Sequence, residues 1–245
     1  MNSAIAEAIH MKHQPVAISF RNDRPEKALQ FAPGKWGCAM TMLFSAAKGK
    51  TAVFDRNTMG CLGGYTGICL GNKYPDFPGG IDKFLSTGSE FREGEFYCKT
   101  PEIAQKFVDS LPYQDISETY VIFEPLSAVD PQNPPEIVSL FVNMQQLSGL
   151  VVLANYDRGD RNAVEIPFCA GCHSTVLLPY AESKKDEPKA IVGNTDITSR
   201  KFFDANLITF TVPWKRFLEM EANVESSFLT KDQWALLQKK FDDGY

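Results

Sequence analysis

Glu136-Ile137-Val138-Ser139-Leu140-Phe141-Val142, read on through His173, decides the fold. The run is short, apolar and rich in β-branched residues, which predicts a strand. Met144 to Tyr156 then reads as a helix and Val164 to Phe168 as another strand, with Cys169-Ala170-Gly171-Cys172-His173 directly behind it. Strand, helix and strand in succession point to an α/β (or α+β) architecture: a mixed sheet with helices packed on it.

The same alternation extends in both directions. Upstream, the residues to Met11 suggest a helix, Pro15 to Phe20 a strand, and Cys38 to Lys48 a helix stopped by Gly49. Thr51 to Asp55 and Thr119 to Phe123 read as strands, and the polar, proline-bearing stretches 21–34 and 124–135 as connections. Thr100-Pro101-Glu102 opens a helix with a polar cap, a first-turn proline and an acid, and Ile103, Ala104, Phe107 and Val108 are its expected buried stripe. Downstream, Lys189–Gly193 and Leu207–Val212 are expected strands around a helix at 198–204. Thr230-Lys231-Asp232-Gln233 has the pattern of a capping box before a last helix with Trp234, Leu237 and Phe241 on its apolar face. At 245 residues, with no repeat or low-complexity tract, residues 1–245 are read as a single globular unit with one substantial core.

Composition removes whole classes of function. The net charge of −5, with the 25 basic residues scattered, leaves no footprint for nucleic acid. No run approaches the ~18 apolar residues of a membrane helix, so no membrane partner is expected. The first ten residues lack the basic start and apolar core of a secretory signal, which places the expected protein in the cytoplasm. There thiols stay reduced, and the six cysteines are free to pack or to bind metal. Common nucleotide-binding motifs are incomplete. Gly49-Lys50-Thr51 ends like a phosphate-binding loop, but Phe44 stands where its first glycine belongs. The glycines between Gly60 and Gly71 form no dinucleotide fingerprint and read as a conformationally special loop.

The cysteines hold the chemistry. Cys38 follows Trp36-Gly37 and opens a helix; Cys61 follows Met59-Gly60 and precedes Leu62-Gly63-Gly64; Cys172 follows Gly171 and opens another helix. A helix N-terminus offers free N–H groups and partial positive charge, which favour thiolate, so an electropositive pocket gathering the three is expected. Gly60, Gly63 and Gly64 would let the backbone approach a bulky inorganic cofactor. Cys169 is the candidate fourth ligand, and His173 a candidate to donate a hydrogen bond beside the centre. Cys69 and Cys98 are expected to be buried only. Other readings of Cys169-Ala-Gly-Cys172-His173 stand beside this one: c-type haem attachment, a thioredoxin-like dithiol, or half of a zinc site.

Pro15-Val16-Ala17, Phe31 to Met40, Met59-Gly60-Cys61-Leu62-Gly63-Gly64, and Cys172 ahead of Pro179-Tyr180 resemble segments of the ArCR family, domain of unknown function 169, common in archaea and anaerobic bacteria. Ser199-Arg200-Lys201-Phe202-Phe203 and Val212-Pro213-Trp214-Lys215-Arg216-Phe217 are similar to its C-terminal signature, so the likeness spans about 14–220. The resemblance implies that Cys38, Cys61 and Cys172 matter more than the other thiols, and Cys169 is not part of its pattern.

The expectation is a metalloprotein with one iron–sulfur cluster, [4Fe–4S], held by Cys38, Cys61 and Cys172 with Cys169 or a small molecule on the remaining iron. Such a centre serves redox or Lewis-acid chemistry, with a small-molecule ligand or a redox protein as partner. The alternatives are a non-redox binding or regulatory module with zinc-bound or packed cysteines, and a thiol-based enzyme whose Cys172 alkylates rapidly.

Overall fold

The computed structural model describes residues 2–90, 92–159 and 161–242, with side chains to residue 240. In chain order it runs α1 (Ala4–Ala8), β1 (Val16–Arg21), α2 (Ala39–Ala47), β2 (Ala52–Phe54), α3 (Leu62–Gly67), β3 (Leu70–Gly71), α4 (Ile81–Phe84), α5 (Pro101–Asp109) and β4 (Gln114–Asp115). Next come β5 (Tyr120–Pro125), β6 (Ile137–Val142), α6 (Met144–Asn155), β7 (Val164–Glu165), α7 (Leu178–Glu182), β8 (Ala190–Gly193), β9 (Ile208–Pro213), α8 (Trp214–Asn223) and α9 (Asp232–Asp242).

Seven strands pair in the order β2-β5-β1-β6-β9-β8-β7. All neighbours are antiparallel except β7 and β8, where Val164 faces Ala190 in parallel, so the sheet is mixed as expected. Register follows the two-residue side-chain period. Val16, Ile18 and Phe20 of β1 enter one core with Ile137 and Phe141 of β6, while Ala17, Val138, Leu140 and Val142 enter the other. Buried residues of α2 and the 172–177 segment cover the first face; residues of α1, α6 and α8, with Trp234 of α9, cover the second. The expected α/β unit, one sheet with helices packed on it, is the observed architecture.

Several local expectations change. The strand expected over 164–168 stops at Glu165, because Pro167 has no N–H for a ladder, and Ile166 and Phe168 are exposed. In α5 Ala104 and Val108 are buried, but Ile103 faces solvent at 49% exposure and leaves the stripe. In α9 Trp234 is buried with its indole N–H donating to the Ala8 carbonyl at 2.9 Å, whereas Leu237 is exposed and the Phe241 side chain lies outside the described residues. The helix expected at 198–204 is a tighter 3₁₀ segment, Ile197–Phe202. The glycine-rich stretch is no loop: it forms α3 and then β3, which pairs with β4. Helix α8 was not expected; it buries Arg216, whose guanidinium bonds Asp157.

Candidate functional site

Each of the three Gly-Cys junctions stands at or just inside the start of a helix. Cys38 is the N-cap of α2 and Cys61 the N-cap of α3, both in extended backbone conformation. The Cys61 sulfur accepts the Gly64 N–H at 3.3 Å, as an N-cap side chain does. Cys172 already has helical backbone angles and leads into a π-helical turn, His173–Leu177, that continues as α7. A π-turn widens the helix and often marks a functional segment.

Close backbone approaches bring these junctions together. A side chain on Gly67 would collide with the Cys172 sulfur, so only glycine lets α3 lie against the 172–177 turn. The Cys172 thiol donates to the Gly63 carbonyl at 3.4 Å. On the other side, a side chain on Gly60 would strike the Lys35 carbonyl, which brings the approach to Cys38 against the approach to Cys61. Gly63 and Gly64 were expected to make room for a cofactor. The space where their side chains would begin is instead taken by protein atoms: the Tyr74 hydroxyl 2.7 Å from an ideal Cβ on Gly63, and the Met59 methyl 2.8 Å from one on Gly64. The glycines thus seat the thiols through protein packing.

The expected electropositive pocket is corrected by the electrostatics. Burial pushes the Cys38 thiol up to about 11, against the lowering effect of the Met40 and Thr41 N–H groups at the helix start. Burial also pushes Cys172 well up, reinforced by Cys61, then Cys38, then Cys169, then Asp196. The helix terminus does act in the expected direction on Cys38, but desolvation outweighs it. Without a bound cation both groups stay neutral thiols. These same influences show that Cys38, Cys61 and Cys172, remote in sequence, are electrostatic neighbours in the fold. Cys169 is a weaker neighbour of Cys172 than Cys61 and Cys38. It is 1% exposed and hydrogen-bonded with Ser174, and burial leads in pushing it up to about 12. Cys69 is fully buried and Cys98 half-buried.

His173 is 3% exposed, and its Nε2 is buried without a hydrogen-bond partner. Burial pushes it down to about 4, so the imidazole is neutral at physiological pH and its free nitrogen can accept a proton or a metal. Its ring centroid is 6.4 Å from that of Tyr74. Nothing in the sequence singled out Tyr74; burial, then Cys172 and Cys61, push its phenol up. Tyr65 and Arg200, aromatic and cationic residues near the motifs, are structural: Tyr65 packs over Gly71, and Arg200 bonds the carbonyls of Ala205 and Leu207.

A buried polar network behind the site fixes the 171–175 turn to the sheet. Asn194, in a left-handed conformation at φ 60°, receives the Ser199 hydroxyl at 3.1 Å and donates from its side chain to Thr209 at 3.1 Å. Its backbone N–H donates to Ser174 at 3.0 Å, and the Ser174 and Thr175 hydroxyls donate to the Gly171 carbonyl at 3.0 and 2.8 Å. Such satisfied networks hold one geometry, here the orientation of Cys172.

The site gathers neighbouring thiols that burial keeps neutral and an imidazole nitrogen with no hydrogen-bond partner, donor types that a soft metal favours. Among the described residues, no three His, Cys, Asp or Glu side chains stand ready to share a single metal ion. Cluster ligation makes a different demand, since each thiolate binds its own iron. Among the same residues no helix is long and apolar enough to cross a membrane.

A family model described as uncharacterised ArCR matches residues 4–223. No curated protein and no solved structure matches the chain.

Proposed function

This chain belongs to the uncharacterised ArCR family, and from that premise and the thiol geometry we propose that it is a cytoplasmic protein carrying one [4Fe–4S] cluster on Cys38, Cys61 and Cys172. The observation that supports the reading is that Cys61 and Cys38, two sequence-remote thiols at helix starts, are electrostatic neighbours of Cys172, whose sulfur lies against Gly67. Cys169, engaged with Ser174 and set deep in the core, is the poorer fourth ligand, which leaves the remaining iron to a small molecule. When bound, such a cluster supplies an iron that acts as a Lewis acid or a store for one electron exchanged with a redox partner. The chain's own part is to hold the thiols close in a dry pocket, where their ionisation depends on the metal, and to keep a neutral imidazole beside them.

Anaerobic purification with iron and sulfide analysis and visible absorbance tests the proposal. About four irons and four sulfides per chain are expected; a colourless, iron-free protein after reconstitution rules it out. Zinc in place of iron would favour a non-redox module. A thiol-based enzyme has less support, because its nucleophile should be exposed and easily ionised, and Cys172 is neither.

A further inference from the structure

A cleft of about 470 Å³ opens at the C-terminal end of β6 and shares no lining residue with the thiol site. Its volume lies within the roughly 300–1,000 Å³ of small-molecule sites. Its walls are the segment after α1, the start of α6, the turn before β9 and part of α9. They are braced without a ligand. Gln146 of α6 donates to the Ile9 and His10 carbonyls at 3.1 Å each, and its side-chain oxygen accepts the Asn143 N–H at 2.9 Å.

His13 is set into this wall. Its ring packs edge-on against Phe44 at 5.0 Å between centroids, and Nε2 is buried without a hydrogen-bond partner among the described residues. Oδ2 of Asp204 stands 3.6 Å from that nitrogen, too far for a hydrogen bond. The His13 side chain is 11% exposed and that of Asp204 50%, so the imidazole is fixed while the carboxylate can change rotamer. A buried polar atom left unpaired is costly, which gives the nitrogen a use for a partner from the cleft. Charge narrows that partner's chemistry. Lys12 and Asp204 line the same cleft, so a ligand of either net charge meets a like charge. Gln145 and Asn206 also line it, and their amides both donate and accept.

We propose that this cleft binds a small neutral polyol or sugar. As the ligand enters, Asp204 turns and one ligand hydroxyl takes the place beside His13. That oxygen accepts from Nε2–H and donates to the Asp204 carboxylate, two roles that a hydroxyl fills through a single atom. A carboxylate beside Nε2 favours the tautomer that carries its proton there. Neighbouring hydroxyls bond Gln145 and Asn206. The site is independent of the iron–sulfur reading and stands or falls separately from it.

The full chain is titrated with glycerol, myo-inositol, D-ribose and D-glucose, and with acetate and methylammonium as charged probes. Binding is followed by the imidazole nitrogen resonances of the three histidines and by saturation transfer to the probe. At least one polyol should shift the His13 resonances and saturate in the millimolar range or below, while both charged probes leave them unmoved. Asp204→Ala, at a half-exposed position, should weaken that polyol about ten- to a hundredfold, as for a hydrogen bond to a charged group. His13→Phe keeps a ring against Phe44 and should abolish saturation transfer from the same polyol. No polyol shifting His13, a charged probe binding there instead, or polyol binding untouched by Asp204→Ala each overturns the assignment.

Discussion

The thiol of Cys172 donates to the carbonyl of Gly63 across 3.4 Å, although 109 residues separate them in sequence. The contact depends on Gly67, one turn further along α3, whose missing side chain leaves room for the Cys172 sulfur. Gly67→Ala should therefore force α3 off the 172–177 turn. A loss of roughly 1–3 kcal/mol of stability is expected, the usual range for overpacking a core, together with a fall in iron uptake. Gly159→Ala, where an added Cβ meets nothing within 4 Å, should change neither. Denaturant midpoints and iron analysis of the two variants check this; iron uptake untouched in a destabilised Gly67→Ala would separate the packing from the site.

The cysteines should divide into two groups by substitution. Cys38→Ala, Cys61→Ala and Cys172→Ala should each abolish stable iron binding, while Cys98→Ala keeps it and Cys169→Ala keeps it in large part. In the metal-free chain, alkylation of Cys172 should be slow at neutral pH, because burial holds the thiol neutral. Mass-spectrometric labelling after metal removal reads this directly. Rapid modification of Cys172 in the folded chain would revive the thiol-enzyme reading.

Most strands were legible because their signal is local: Ile137–Val142 and Val16–Phe20 are short apolar runs bounded by polar turns. The placement of Cys38, Cys61 and Cys172 at helix starts was legible for a related reason, the recurrence of Gly-Cys at element junctions. Helix α3 was hidden, since its glycines carry poor intrinsic propensity and the helix is held by the Cys61 cap and by packing on Cys172. Tyr74 has no local signature at all, because its placement comes from the space beside a glycine on another element. The sign of the electrostatics was misread for the same kind of reason. A helix start is visible in sequence, but the burial that overrides it exists only after folding.

Arg216, 1% exposed, bonds both oxygens of Asp157, at 2.8 and 2.5 Å, and the Ala154 carbonyl at 2.8 Å. This joins α8 to the end of α6, on the face of the sheet away from the thiols. The hydrogen bond from Arg216 holds the Asp157 carboxyl down to about 2. Its folded value lies below the unfolded one, so the stability it brings is present above about pH 4 and is lost as pH falls towards 2. Arg216→Ala should cost about 1–3 kcal/mol, since the guanidinium is buried but its partner carboxylates are partly exposed, and should flatten the acid limb of the stability profile. Iron content of the folded fraction should stay at the wild-type level. Urea denaturation at pH 3 and pH 7 provides the comparison.

Glu136 gives the opposite slope. It sits just before β6, accepts the Phe20 N–H at 2.9 Å, and burial pushes its carboxyl up to about 7, with Glu118 adding to the rise and Phe20 and Arg21 opposing it. The unfolded group titrates near 4.5, so between about pH 4.5 and 7 the folded chain holds a proton that the unfolded chain has released. Stability should then fall as pH rises through that window and reach its full penalty above pH 7. Glu136→Gln keeps an oxygen to accept the Phe20 N–H and removes the charge. It should match wild type near pH 4.5 and gain on the order of 1–2 kcal/mol at pH 8, after allowance for the partial exposure of the site. Urea midpoints across that range decide the matter: a difference between the two proteins that does not grow with pH would mean that Glu136 ionises in the folded chain as readily as in the unfolded one.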